Sequence, residues 1–151
     1  MTSDLDLARR CAEAMYAEDL ASQKAGIVIE DVAPGRATAR MKITETMING
    51  HEICHGGYIF LLADTAFAFA CNTYGQATVA QDCDIVFVRP AQLGDQLVAT
   101  ATEQVRFGRN GIYDVTVDAG DKVIAEFRGK SRTIGGSSLP AGGTSEQEEQ
   151  S

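Results

Sequence analysis

Residues 49–75, NGHEICHGGYIFLLADTAFAFACNTYG, decide how the rest of the chain is read. Between residues 58 and 71 every side chain is apolar or small except Asp64. A helix over this span is greasy on all sides, so the remaining chain has to wrap it. Asp64 is then buried with the helix. An isolated carboxylate in apolar surroundings is costly unless a neighbour compensates it or its pKa rises. Perturbed acids of this kind cluster at sites of chemistry, which makes Asp64 a candidate catalytic residue. The plainer alternative is a carboxylate satisfied by a backbone N–H or a positive side chain.

Upstream, Ser3 or Asp4 caps a helix whose apolar positions Leu5, Ala8, Cys11, Ala12 and Met15 share one face, until Gly26 breaks the pattern. Residues 27–32 are β-rich, Pro34 and Gly35 mark a turn, and residues 36–43 alternate, which together predict a hairpin ahead of the central helix. Downstream, residues 77–88 run up to Arg89-Pro90, and Gly94-Asp95 turns into residues 96–107. Residues 108–111 turn again, 112–117 alternate, 119–121 turn, and 122–133 close a run of four β segments at hairpin spacing. That spacing predicts a four-strand meander. From Gly135 onward, GGSSLPAGGTSEQEEQS has no apolar periodicity, so one domain over residues 1–136 and a disordered acidic tail over 137–151 are expected.

Bulk properties narrow the function. A chain of 151 residues with 44% hydrophobic content can bury one core. Thirteen basic against twenty-one acidic residues leave a net charge of -8, which argues against nucleic acid or an anionic membrane as partner. An anionic ligand must therefore meet a local basic cluster. Cys11, Cys54, Cys71 and Cys83 form no C-x-x-C pair and read as reduced core residues of a reducing compartment. The start, MTSDLDLARR, lacks a basic and apolar signal segment, and the apolar run around Asp64 is too short to span a bilayer, so a soluble, cytoplasmic protein is expected. His51 to His55 spell H-E-x-x-H, a zinc-site string. That string works only on a helix, and here Asn49-Gly50 and Gly56-Gly57 bracket it, with no third histidine in the chain. No metal site is expected.

One helix apolar all round, a hairpin before it and a meander after it call for an α+β fold, an antiparallel sheet curled around that helix with an extra N-terminal helix. This is the hot-dog architecture. The run NGHEICHGGYIFLLADTAFAFACN, followed by FVRPAQLGD and FRGKSRTIGG, resembles the PaaI group of hot-dog acyl-CoA thioesterases over residues 5–136. The most specific part is HGG-x-x-F-x-L-A-D-x-A-F-A, matched at His55, Gly56, Gly57, Phe60, Leu62, Ala63, Asp64, Ala66, Phe67 and Ala68.

The resemblance implies hydrolysis of an acyl-CoA, with phenylacetyl-CoA and its hydroxylated forms among the substrates of relatives. It implies no cofactor, since coenzyme A is part of the substrate. Asp64 becomes the general base or nucleophile, and the Gly56 N–H at the helix start polarises the thioester carbonyl, with Gly57 beside it. Asn49 and His55 would hold the thioester or the attacking water. From the residues alone the alternatives are a tight turn for Gly56-Gly57, a turn residue for Asn49 and a helix cap for His55. Some relatives orient water with a serine or threonine where this chain has Ala80.

Coenzyme A brings phosphates, for which Arg106, Arg109, Arg128 and Lys130 are the candidates, with the turn Arg106, Phe107, Gly108, Arg109, Asn110 and Gly111 as their centre. Arg89 would join this patch or a dimer edge. Ordinary solvated arginines are the alternative. Gly56 and Asp64 lie about 12 Å apart along a helix rising 1.5 Å per residue, too far for one thioester carbon. A homo-oligomer answers this, two chains forming each active unit and the units assembling as a homotetramer. Two other readings stay open: a binding module that holds acyl-CoA without turnover, and a hydroxyacyl thioester dehydratase pairing His55 with Asp64. Tyr58, Phe60, Phe67 and Phe69 suit an aromatic ring or an alkyl chain.

Overall fold

Ser3 begins the first helix, α1 (Asp4–Glu18), its hydroxyl accepting the Asp6 N–H at 3.0 Å. The structure is a computed structural model that describes residues 3–139. Ala8 and Cys11 are buried, Ala12 and Met15 pack against the core, and Leu5 stands more open. The helix does not run on to Gly26. Asp19 ends it and caps a second short helix, α2 (Leu20–Lys24), which the apolar spacing did not reveal.

Strands β1 (Val28–Ala33) and β2 (Arg36–Lys42) form the expected hairpin, and the apolar run becomes α3 (Gly56–Cys71). Then come β3 (Gln76–Phe87), β4 (Gln96–Phe107), β5 (Asn110–Ala119) and β6 (Lys122–Ser137). All pairings are antiparallel, in the order β1-β2-β4-β5-β6-β3. The four-strand meander is therefore corrected: β4, β5 and β6 are one, but β3 pairs with β6 at the far edge. The link between β3 and β4 is a crossing, not a turn. Val88 N–H bonds Ile124 O, Cys54 N–H bonds Ala91 O and Gly94 N–H bonds Ile43 O, so this segment passes from β6 under the start of α3 to β2.

The sheet curls around α3, burying Ile59, Leu62, Ala63, Ala66, Phe67, Phe69 and Ala70. Phe67 rests on Gly129 of β6, where a Cβ would lie 2.7 Å from the ring. Tyr113 and Phe127 flank the same ring at centroid distances of 5.6 and 5.8 Å. A side chain at position 129 would lift the helix off the sheet, so this glycine fixes the helix depth.

The wrapping is incomplete in one chain. Gly57, Leu61, Asp64 and Ala68, at helical spacing on α3, are exposed or only half-buried, which corrects the expectation of a fully enclosed helix. Beyond β6, the free edge strand β3 and the residue after it carry Val79, Val86, Phe87 and Val88 in exposed positions. The tail boundary moves too. Strand β6 reaches Ser137, and Ser138 donates its N–H to Gly75 O and its hydroxyl to Asn72 O, so the fold extends past residue 136. The rest of the expected tail, 140–151, lies outside the described residues.

Candidate active site

The loop before α3 is held by Asn49. Its Oδ1 accepts the N–H of His51 at 2.9 Å and of Ile53 at 3.4 Å, while its own N–H bonds Ile53 O. Asn49 is thus a turn residue, and the Nδ2 hydrogens are the part of its side chain outside that turn. The turn carries Glu52 at a φ of 64°, left-handed backbone at a residue with a side chain. The H-E-x-x-H string lies in this turn and not on a helix.

His55 is the N-cap of α3. Its Nδ1 accepts the Gly57 N–H at 2.9 Å, and its carbonyl accepts the Tyr58 N–H at 3.0 Å. An accepting Nδ1 leaves the proton of the neutral ring on Nε2. The cap thus consumes the Gly57 N–H, which corrects the pairing of Gly57 with Gly56 as substrate donors. Gly56 N–H remains as the first helical amide outside the cap, at the positive end of the helix dipole. A Cβ at Gly56 would lie 3.0 Å from the ring of Phe87, so the end of β3 stands directly against this donor.

Asp64 follows two turns later and is half-buried, not enclosed. Burial raises its carboxyl above the ordinary 3.8, and the nearby charge of Asp19 adds to the rise. It takes part in none of the ion pairs among the described residues. Such a carboxylate holds a proton more tightly than an exposed one, which suits a base. Burial also pushes the Cys71 thiol up to about 12 and the Cys83 thiol to about 11, with Asp64 adding to both. Both thiols stay protonated and are poor nucleophiles. Ala80 pairs with Ser131 on β6 and offers no hydroxyl of its own.

The basic residues are more scattered than expected. Arg106 pairs with Glu103 at 3.2 Å and stacks 3.7 Å over the Tyr74 ring. Phe107 is exposed, Gly108 makes the turn at a φ of 60°, and Arg109, Asn110 and Gly111 lead into β5. Arg128 is bound through two hydrogen bonds, 2.7 and 2.9 Å, to Asp114, and Lys130 lies 3.5 Å from Asp82. These pairs engage Arg128 and Lys130 with carboxylates on the exposed face of the sheet. Arg89 is no part of the patch: it donates to Val123 O at 2.9 Å, at the opposite end of the β5–β6 ladder from Arg109. Arg109 enters none of the ion pairs among the described residues. A polar cavity of about 170 Å³ lies behind it, between Tyr74 and Ser131, and a larger groove of about 480 Å³ lies between α1 and β1. Neither reaches Asp64 or Gly56.

Residues 51–125, which span the loop, α3 and most of the sheet, match the thioesterase superfamily. The chain belongs to that family. Within it the likeness is to the PaaI-type acyl-CoA thioesterases: acyl-coenzyme A thioesterase PaaI of Escherichia coli is 48% identical over 126 residues, covering 83% of this chain and 90% of the relative. The structure of the E. coli PaaI protein from the phenylacetic acid degradation operon superposes with a TM-score of 0.87 at 45% identity, over 89% of this chain and 99% of that one. A mutant of the phenylacetic acid degradation protein PaaI of Thermus thermophilus superposes with a TM-score of 0.73 at 32% identity, over 75% and 97%.

Three residues near the site of this thioesterase escaped the sequence reading: Asp19, Cys83 and Phe87. Each comes to α3 from another element: the sequence marks Cys83 only as a core thiol and Phe87 only as part of the FVRPAQLGD string, and neither reading places it beside Asp64 or Gly56.

Proposed function

We propose that this thioesterase hydrolyses aryl or medium-chain acyl-CoA, phenylacetyl-CoA and its hydroxylated forms foremost, to the free acid and coenzyme A. The observation that carries the reading is Asp64, a half-buried carboxylate of raised proton affinity on an otherwise apolar helix. Asp64 takes a proton from water as its oxygen attacks the thioester carbon, and the Gly56 N–H stabilises the oxyanion that forms. The tetrahedral intermediate then expels the coenzyme A sulfur, which recovers the proton from Asp64. Direct attack by the carboxylate is the variant route. Asn49 Nδ2 and the His55 ring stand at the helix start to hold the thioester or the water. Tyr58, Phe60 and Leu61 supply the apolar wall for the acyl group. Arg109, with Arg106 behind it, meets the phosphates of coenzyme A, and no further cofactor or metal takes part. The operon named for the E. coli relative supports the phenylacetyl preference.

Each active unit is a homodimer. Gly56 and Asp64, about 12 Å apart on one helix, cannot serve one thioester carbon. The open stripe on α3 and the free edge of β3, with Val86 and Phe87 exposed, are the surfaces a second copy would cover. Two such units form a homotetramer in the cytoplasm. The dehydratase alternative needs His55 as a base beside Asp64, and the bond from the Gly57 N–H to Nδ1 leaves the neutral ring with its proton on Nε2, a donor and not a base.

The test is thiol release from a panel of aryl, short and medium acyl-CoAs, run beside Asp64→Asn. Release by the wild type and not by the variant is the expected result. Binding without release would favour the acyl-CoA binding module.

A further inference from the structure

At the corner between α1 and α2, Asp19 accepts the Ser22 N–H on Oδ1 at 3.0 Å and the Ser22 hydroxyl on Oδ2 at 2.7 Å. Ser22 Oγ also lies 3.0 Å from Thr65 Oγ1. Ser22 has one hydroxyl hydrogen and gives it to a carboxylate, so Thr65 must be the donor in this second bond. Ser22 and Thr65 are buried, at 1% and 5% exposure. A directed chain of hydrogen bonds, Thr65 to Ser22 to Asp19, thus runs from the residue next to Asp64 to a second carboxylate. Buried hydroxyl chains of this kind are costly to break and hold their ends in register. Packing alone would be served equally by two apolar side chains.

We propose that Asp19, tied through Ser22 to Thr65, is a positioning residue for the hydrolysis: the hydrogen-bonded corner holds a second carboxylate against the turn of α3 that carries the base Asp64. The inference rests on the reading of Asp64 as the base. The titratable groups whose charges reach Asp64 are Asp19 from the α1–α2 corner, Cys71 from α3 itself and Cys83 from β3. Both thiols stay neutral through the working range, which leaves Asp19 as the charge that acts. Its repulsion disfavours the ionised form of Asp64, so the base binds its proton more strongly.

The experiment is the pH dependence of kcat/KM for the wild type, Asp19→Asn, Asp19→Ser and Asp64→Asn, each checked for folding by thermal melting. Asparagine and serine both cap helices well, so the Ser22 N–H keeps an acceptor while the charge is removed. Two capping variants keep the test alive if one fails to fold. The expected result is an acid limb displaced to lower pH in both, with kcat/KM on that limb at least about twofold higher relative to each variant's own plateau. A purely structural role would lower the plateau and leave the limb where it is, and that result would overturn the inference. Full turnover by Asp64→Asn would instead overturn the reading beneath it.

Discussion

The Nδ1 of His55 accepts the N–H of Gly57 at 2.9 Å, and a Cβ at Gly57 would lie 3.0 Å from that same nitrogen. Cap and glycine therefore depend on each other. His55→Ala leaves the Gly57 amide without its acceptor and is expected to cost about 1 kcal/mol, the usual worth of an N-cap. His55→Asn restores an acceptor and most of that loss. Urea unfolding of the two variants measures the difference, and equal stability of both with the wild type would show that the cap contributes nothing.

Asp64 combines a functional need with a folding cost. Its carboxyl is raised above 3.8 in the folded chain, so the folded state binds more protons than the unfolded one between those two values. Stability is then greatest below the unfolded value and falls as pH rises through the folded one. At neutral pH the ionised carboxylate is a burden. Asp64→Asn is expected to melt at or above the wild-type temperature at pH 7 while hydrolysis falls at least about a hundredfold. The thermal advantage should vanish at pH 3. A melting temperature clearly below wild type at pH 7 would contradict the argument.

Gly129 marks the depth of the central helix. A methyl group there meets Phe67 at 2.7 to 2.8 Å, and the ring is wedged by Tyr113 and Phe127. Gly129→Ala is expected to destabilise by about 1–3 kcal/mol, as overpacking does. Phe67→Leu in the same chain should recover part of that loss, a coupling that a double-mutant cycle in denaturant detects. Additive losses would place the strain elsewhere.

What the sequence disclosed follows from the range of the forces involved. Helix α3, the hairpin of β1 and β2, and the meander from β4 to β6 are marked by local periodicity and turn residues. The place of β3 is not, because pairing with β6 depends on how far residues 88–95 travel beneath the helix. Asp64 and the glycine pair stood out since a lone acid and a Gly-Gly break an apolar run. The partners of Arg128 and Lys130 did not: Asp114 and Asp82 reach them across strands, and register is a property of the whole sheet. The roles of Asn49 and His55 as turn anchor and cap were legible beside the site roles, and hydrogen-bond geometry shows the structural ones.

The shared site makes the sharpest demand, because two inactive variants should repair each other. Asn49 Oδ1 holds the loop, so truncation to alanine would damage the fold as well as the site. Asn49→Asp keeps an oxygen acceptor for the loop and replaces the amide donor with a charged carboxylate oxygen. Refolded together with Asp64→Asn, it gives mixed dimers in which one site carries both lesions and the other carries neither. Random pairing makes about half the dimers mixed, each with one good site of two, so the blend should regain roughly a quarter of wild-type activity. The comparison requires that Asn49→Asp alone be nearly inactive, which the same assay measures. If Asn49 and Asp64 serve one site within one chain, every site in the blend keeps a lesion. Activity at the level of the separate variants would then rule out the cross-chain arrangement.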